Sequence, residues 1–159
     1  MTCVKNALSP FSRIVEIFFD TTVLVAASVQ GHPHYSRARP ALEQVARGRD
    51  SGFIGVHSLA ETYAALTRLP LQPRIHPSQA RRILADNIIP HFQIISIGKK
   101  EYVEAIDAVA NGGWIGGKIY DALLLHCAAK RPLNRIYTFN LADFKQLAPE
   151  SLRGIICAP

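Results

Sequence analysis

Cysteine is scarce in this 159-residue chain, and the three present, Cys3, Cys127 and Cys157, lie far apart. An odd number with no paired spacing argues against a disulfide framework and against a thiolate zinc site, and it fits a reducing, cytoplasmic setting. Long apolar runs are also missing. The longest candidate, Ile14 to Val29, is interrupted by Glu16 and Asp20, so no stretch supplies the roughly 20 residues that span a bilayer. No apolar segment with a small-residue cleavage site follows the first dozen residues, which argues against secretion. Residues 1–12 are expected to form a loosely ordered extension. Acids are the third shortage, 12 against 18 lysines and arginines. The resulting charge of +6 and pI near 9.5 favour an anionic partner: RNA, DNA, an acidic protein or an anionic membrane surface.

Apolar side chains are plentiful. At 48% of the sequence they suffice for a sizeable core, and the length fits one domain over residues 1–159. Ile14, Val15, Ile17, Phe18 and Phe19 form a nearly continuous β-branched and aromatic run, the pattern of a strand covered on both faces in a parallel sheet. Asp20 ends that run, and Thr21 to Ser28 is apolar enough to pack again as a short helix, with Asp20 placed to cap it. Ala38, Leu42, Val45 and Ala46 give residues 35–49 a helical face, and Phe53 to Val56 reads as a second strand. Helices follow over SLAETYAALTRLP from Ser58 and over Ser78 to Ile89. Phe92 to Ile97 is a third strand, Lys99 to Ala110 a helix, and Asn111 to Gly117 a loop with four glycines. Ile119 to Lys130 is a helix, Arg135 to Phe139 a fourth strand, Leu141 to Leu147 a short helix and Gly154 to Cys157 a fifth, edge strand. Strands alternating with helices imply a parallel sheet with helices on both faces. Two consecutive helices between the second and third strands are the one expected departure from simple alternation.

Because acids are few, their positions carry information. Asp20 ends the first strand, Glu61 lies in the first turn after the second, Asp121 near the start of the helix behind the glycine loop, and Asp143 shortly after the fourth strand. Each has a plainer explanation. Ser58 with Glu61 fits a capping box, Asp121 suits the positive end of a helix, and Asn140 with Asp143, or Asp20 alone, suits an N-cap. Their joint placement points elsewhere, since strand ends of a parallel sheet share one edge, where open α/β sheets bind ligands. Two carboxylates about 4 Å apart repel by roughly 4 kcal/mol at an effective dielectric of 20. A converged cluster therefore holds a proton or a hard divalent ion, and oxygen-only ligands select magnesium or manganese over zinc. Such an ion on a basic protein suggests phosphate-ester hydrolysis, with the carboxylates orienting a water or accepting its proton.

The segments FFDTTVLVAAS around Asp20, HSLAETYAALTRLP around Glu61, IYDALLLHCA around Asp121 and YTFNLADF around Asn140 and Asp143 together resemble the PIN-domain ribonucleases, and among them the VapC-type toxins of bacterial toxin–antitoxin pairs. The resemblance runs from about Val15 to Phe144. It implies an α/β/α sandwich with a short, mostly parallel sheet of four or five strands, and an acidic pocket that binds Mg2+ or Mn2+. Asp20 and Asp121 match the principal metal-binding acids and Glu61 the second acid. The fourth is open: family members carry an acid at the position of Asn140, of Asp143 or of both, and Asn140 carries no charge, so Asp143 is the better candidate. Thr21 matches a small polar position beside the first acid, and Thr138 or Asn140 is a candidate to order a water. The resemblance further implies a metal-dependent endoribonuclease, a small antitoxin that blocks the site and a homodimer; that no membrane is a partner is expected from the lack of a spanning apolar run.

Competing readings fare less well. A haloacid-dehalogenase-like phosphatase needs a second aspartate two residues after the first, where this chain has Thr22. A response-regulator receiver needs an acidic pair at the first strand's end and a lysine after a late strand. The non-enzyme alternative is a PIN-like module that only binds RNA or protein. Among basic and aromatic residues, Arg68 and Lys118 are the first candidates for RNA or antitoxin contact. Trp114 either stacks on a base or anchors the glycine loop.

Overall fold

Successive side chains of the first strand, β1 (Glu16–Phe19), point to opposite faces, so Ile17 and Phe19 enter one core and Phe18 the other. The structure, a computed structural model, describes residues 13–159. The extension expected over residues 1–12 lies outside the described residues. With β2 (Ser51–Gly55), β3 (Phe92–Ile95), β4 (Arg135–Tyr137) and β5 (Ile156–Cys157), β1 forms a five-stranded sheet in the order β3-β2-β1-β4-β5, every neighbouring pair parallel. The expected four or five mostly parallel strands are thus five and wholly parallel.

Two helices fill every crossover. The helices α1 (Thr21–Ser28) and α2 (Tyr35–Ala46) join β1 to β2. Next, α3 (Val56–Arg68) and α4 (Pro77–Ile83), the latter prolonged by a π-helical turn over Leu84–Ile88, join β2 to β3. Then α5 (Lys99–Asn111) and α6 (Lys118–Ala128) lead to β4, and α7 (Leu141–Leu147) and α8 (Glu150–Arg153) lead to β5. The helix pair after β2 is therefore the rule and not the exception; α8 escapes sequence reading because one turn is too short to show a stripe.

One core packs α1, α2 and the end of α4 on the face of Ile17, Phe19 and Ile54. The other packs α6, α7 and α8 on the face of Phe18, Phe53 and Ile136. Phe19 meets Phe92 and Tyr137 edge-on, at centroid distances of 5.0 and 5.5 Å, which ties β1 to the edge strand β3 on one side and to β4 on the other. Gly52 permits a close approach: a Cβ there would lie 2.6 Å from both the Phe92 ring and Val45.

Strand limits are set by pairing more than by apolar content. Ile14 and Val15 lie outside β1, and Ile14 is 56% exposed. The second strand begins at Ser51 because that residue pairs with Glu16, and Val56 already starts α3. The third strand stops at Ile95, where its pairing with Gly55 ends. Among the described residues no helix is long and apolar enough to cross a membrane. Cys127 is a free, buried thiol, whereas Cys157 is disulfide-bonded, contrary to the expectation from cysteine spacing.

The chain winds outward from β1 through β2 to β3, then returns past β1 to β4 and β5. The reversal falls between β1 and β4, so connections diverge there and leave a crevice at the carboxyl ends of those two strands.

Candidate active site

Asp20 stands in that crevice. Its backbone N–H donates to the Tyr137 carbonyl at 2.9 Å, which fixes the end of β1 to the end of β4. It occupies the N-cap position of α1, yet its side chain makes no capping bond. Instead Oδ2 accepts from Thr22 Oγ1 at 2.6 Å and from Thr138 Oγ1 at 2.8 Å. Those hydroxyls in turn accept from the backbone N–H groups of Phe139, at 3.1 Å, and Asn140, at 2.9 Å. Two threonines thereby lock one oxygen of a carboxylate that is 3% exposed, and among the described residues no side chain donates to Oδ1.

Glu61 does not form the capping box. The helix α3 starts at Val56, so Ser58 lies inside it, buried, with an Oγ that has no partner among the described residues. Glu61 Oε1 accepts from Thr21 Oγ1 at 3.2 Å, so the Thr21 side chain serves Glu61 while its backbone N–H bonds the adjacent Asp20 carboxylate. Asp121, in the first turn of α6, accepts from Asn140 Nδ2 at 2.9 Å, and the same amide nitrogen donates to Asp143 Oδ2 at 3.1 Å. Asn140 makes no side-chain cap to α7; its two amide hydrogens bridge two acids. Lys118 Nζ lies 3.1 Å from Asp143 Oδ1 and also donates to Gln146.

This arrangement sorts the acids into two electrostatic kinds. Burial raises the Asp20 carboxyl above the usual range, against the opposing bonds from Thr22 and Thr138. Burial likewise pushes Glu61 up to about 7, with the Thr21 hydroxyl opposing and the Asp20 charge adding. Burial pushes Asp121 to about 7 as well, helped by the charges of Asp20, Asp143 and Glu61. Asp143 goes the other way, held below the usual range by Lys118 and then by Asn140. All four acids therefore share one electrostatic field, and Asp143 alone among them has a lysine beside it.

Among the described residues, no three Asp, Glu, His or Cys side chains close around a common point as a formed metal centre. The chemistry of the donors nonetheless fits a hard divalent cation. Asp20, Glu61 and Asp121 are oxygen donors, and they make no Lys or Arg ion pair among the described residues; the nearest basic group is His57 Nε2, 3.9 Å from Glu61. Two of them carry carboxyls lifted to about 7, the signature of negative charge in want of a counter-ion.

Lys118, a candidate RNA contact, is engaged with Asp143, and it lies 5.6 Å from the Trp114 ring centroid. Trp114 packs with the α5–α6 cluster of Ala105, Val109, Ala122 and Leu123, so it anchors the glycine loop. Arg68 is exposed on α3 and lines a groove that also reaches Glu61. Two participants escaped sequence reading. Thr22 signals itself only by standing two residues after the strand-end acid. Tyr120, stacked on His57 at 4.9 Å, gives no sequence signal beyond its place next to Asp121.

The PIN domain family model matches residues 17–149. Ribonuclease VapC27 of Mycobacterium tuberculosis is 32% identical over 111 residues, 70% of this chain and 75% of that protein. Ribonuclease VapC40 of the same species is 35% identical over 109 residues, 66% of this chain and 72% of that protein. Among solved structures, M. tuberculosis VapC20, a sarcin–ricin-loop-cleaving toxin, aligns with a TM-score of 0.65 at 16% identity, over 84% of this chain and 97% of its own. VapBC2 of Rickettsia felis, bound to a promoter DNA fragment, aligns with a TM-score of 0.61 at 22% identity, over 91% and 98%. At such identities the two structures speak for the fold, while the family match and the curated relatives speak for descent: the chain belongs to the PIN-domain family, among its VapC-type ribonucleases.

Proposed function

We propose that the protein is a Mg2+- or Mn2+-dependent endoribonuclease that hydrolyses a phosphodiester by direct attack of water, and that it is the toxin of a toxin–antitoxin pair. The observation that carries the catalytic reading is the convergence, at the β1–β4 crevice, of Asp20, Glu61 and Asp121 in a field that keeps two of them protonated to about pH 7 in the absence of a cation. When bound, a divalent ion supplies polarisation of a phosphoryl oxygen and a lowered pKa for water. Asp20 and Asp121 are the principal holders of that ion. Thr22 and Thr138 fix one oxygen of Asp20. Glu61, poised near neutrality, orients the attacking water and accepts its proton. Asn140 sets the carboxylate planes of Asp121 and Asp143, and Lys118 holds Asp143 ionised at the rim.

Four acids in the pocket leave eight elsewhere against 18 lysines and arginines, so the surroundings are more basic than the net charge states. That excess supports RNA as the substrate; a small antitoxin that covers the pocket and a cytoplasmic site of action are parts of the same proposal. Homodimerisation belongs to the same proposal. Cleavage of structured RNAs with magnesium, manganese or EDTA, by the wild type and by Asp20→Asn and Asp121→Asn, tests the activity. Metal-dependent cleavage lost in both variants is the expected result; equal cleavage by all three proteins refutes it. Growth arrest on expression, relieved by a neighbouring small gene's product, tests the toxin role separately.

A further inference from the structure

A groove of about 680 Å³ opens beside Glu61 between α3 and α6. It exists because α3 presents Ala60, Ala64 and Ala65 there, methyl groups where larger side chains would fill the space. Thr21 and Glu61 form the wall it shares with the acid site, and Arg68 lines it farther along α3. Glu61 and Arg68 are seven residues apart, so they leave α3 on nearly the same face, about 10 Å apart along its axis. From α6, Tyr120 lies against the His57 ring with centroids 4.9 Å apart and planes 15° from parallel, and it keeps 44% of its surface exposed. The groove thus joins a supported aromatic ring, a flat alanine floor and a guanidinium to the wall of the site where phosphodiester chemistry is assigned.

We propose that this groove is a nucleotide subsite, in which a base flanking the scissile phosphate stacks on the Tyr120–His57 pair over the alanine floor and Arg68 takes a backbone phosphate. The inference rests on the ribonuclease reading and adds where the strand is held. The volume lies in the range of small-ligand sites. Aromatic faces stack any base without reading its edge, while an arginine fixes the strand's position through phosphate. The subsite therefore contributes affinity and register, and it discriminates weakly among bases. A protein segment would use the alanine floor but has no comparable use for an exposed ring pair and an isolated cation next to a phosphodiester-cleaving site.

The test measures affinity for a short, fluorescein-labelled, single-stranded RNA of mixed sequence by anisotropy, in an Asp20→Asn background that does not consume it. Tyr120→Ala is expected to weaken binding roughly tenfold, with recovery in Tyr120→Phe, since stacking needs the ring and not the hydroxyl. Ala64→Leu, on an exposed position of α3, fills the groove and is expected to weaken binding to a similar degree, with a melting temperature equal to that of its parent. Arg68→Gln should flatten the salt dependence of binding. Unchanged affinity in both Tyr120→Ala and Ala64→Leu overturns the subsite and leaves the groove to a protein partner. A wild type that cleaves no RNA under any metal condition overturns the ribonuclease reading instead, so the two failures are distinguishable.

Discussion

Removing the charge of Asp121 should make the metal-free protein more stable while taking away its response to magnesium. Its carboxyl stands at about 7 in place of 3.8, through burial and the charges of Asp20, Asp143 and Glu61. At ~1.4 kcal/mol per pH unit, that difference is about 4 kcal/mol between the two protonation states. Asp121 is only half-buried, and screening reduces the part felt as stability to about 1–2 kcal/mol. Asn at this position keeps an oxygen to accept from Asn140 and abolishes the charge. For a chain of this size, Asp121→Asn should therefore raise Tm by about 2–8 °C in EDTA near pH 8. The gain should shrink as pH falls below about 7 and vanish only below about 4, where the aspartate is neutral in both the native and the unfolded state. With the metal at about 100 times its Kd, the wild type should gain about 2.7 kcal/mol, and the variant much less. Thermal unfolding followed by circular dichroism under these conditions measures every arm. A variant no more stable than wild type in EDTA at high pH would refute the electrostatic reasoning, whatever its activity.

The remaining predictions concern the same field and its supports. Glu61 and Asp121 release their protons at about 7 when folded, but at 4.5 and 3.8 in their unperturbed state. Between those limits the native state binds more protons than the unfolded one, so stability in EDTA should fall as pH rises from about 4 to about 7; urea unfolding with a midpoint that climbs over this range would contradict it. Thr138→Val removes the fully buried hydroxyl that donates to Asp20 and accepts from Asn140 N–H, and should cost about 1–3 kcal/mol in urea unfolding. Lys118→Met should let the Asp143 carboxyl rise back toward the usual range, read by its carbon-13 chemical shift against pH. Gly52→Ala forces a methyl group against Phe92 and Val45 at 2.6 Å and should destabilise by about 1–3 kcal/mol, whereas an unchanged Tm would show that the sheet yields there.

The sequence by itself determined the secondary elements and the address of the acids. Strand and helix periods are local properties, so the Phe18–Phe19 run, the Ala38–Leu42–Val45 face and the helix Leu141–Leu147 were legible, as was the rule that strand-end acids of a parallel sheet meet at one edge. Strand limits were less so, because pairing with a neighbour decides them: Val56 looks like strand and begins α3. The π-helical turn after α4 and the brief α8 left no pattern to read. The state of each acid was hidden for the same reason. Ser58 and Glu61 have capping-box spacing, but the helix starts two residues before Ser58, and Glu61 turns to Thr21 across 40 positions. Asp20 depends on Thr138, 118 residues away, for the bond that locks it, and the contrast between Asp121 and Asp143 depends on where Asn140 and Lys118 arrive. Charge and residue type are carried by the chain, but desolvation and the distance between charges exist only once the sheet has brought its strand ends together. Tertiary structure alone therefore decided which carboxyls stay protonated near neutrality and which one is held ionised.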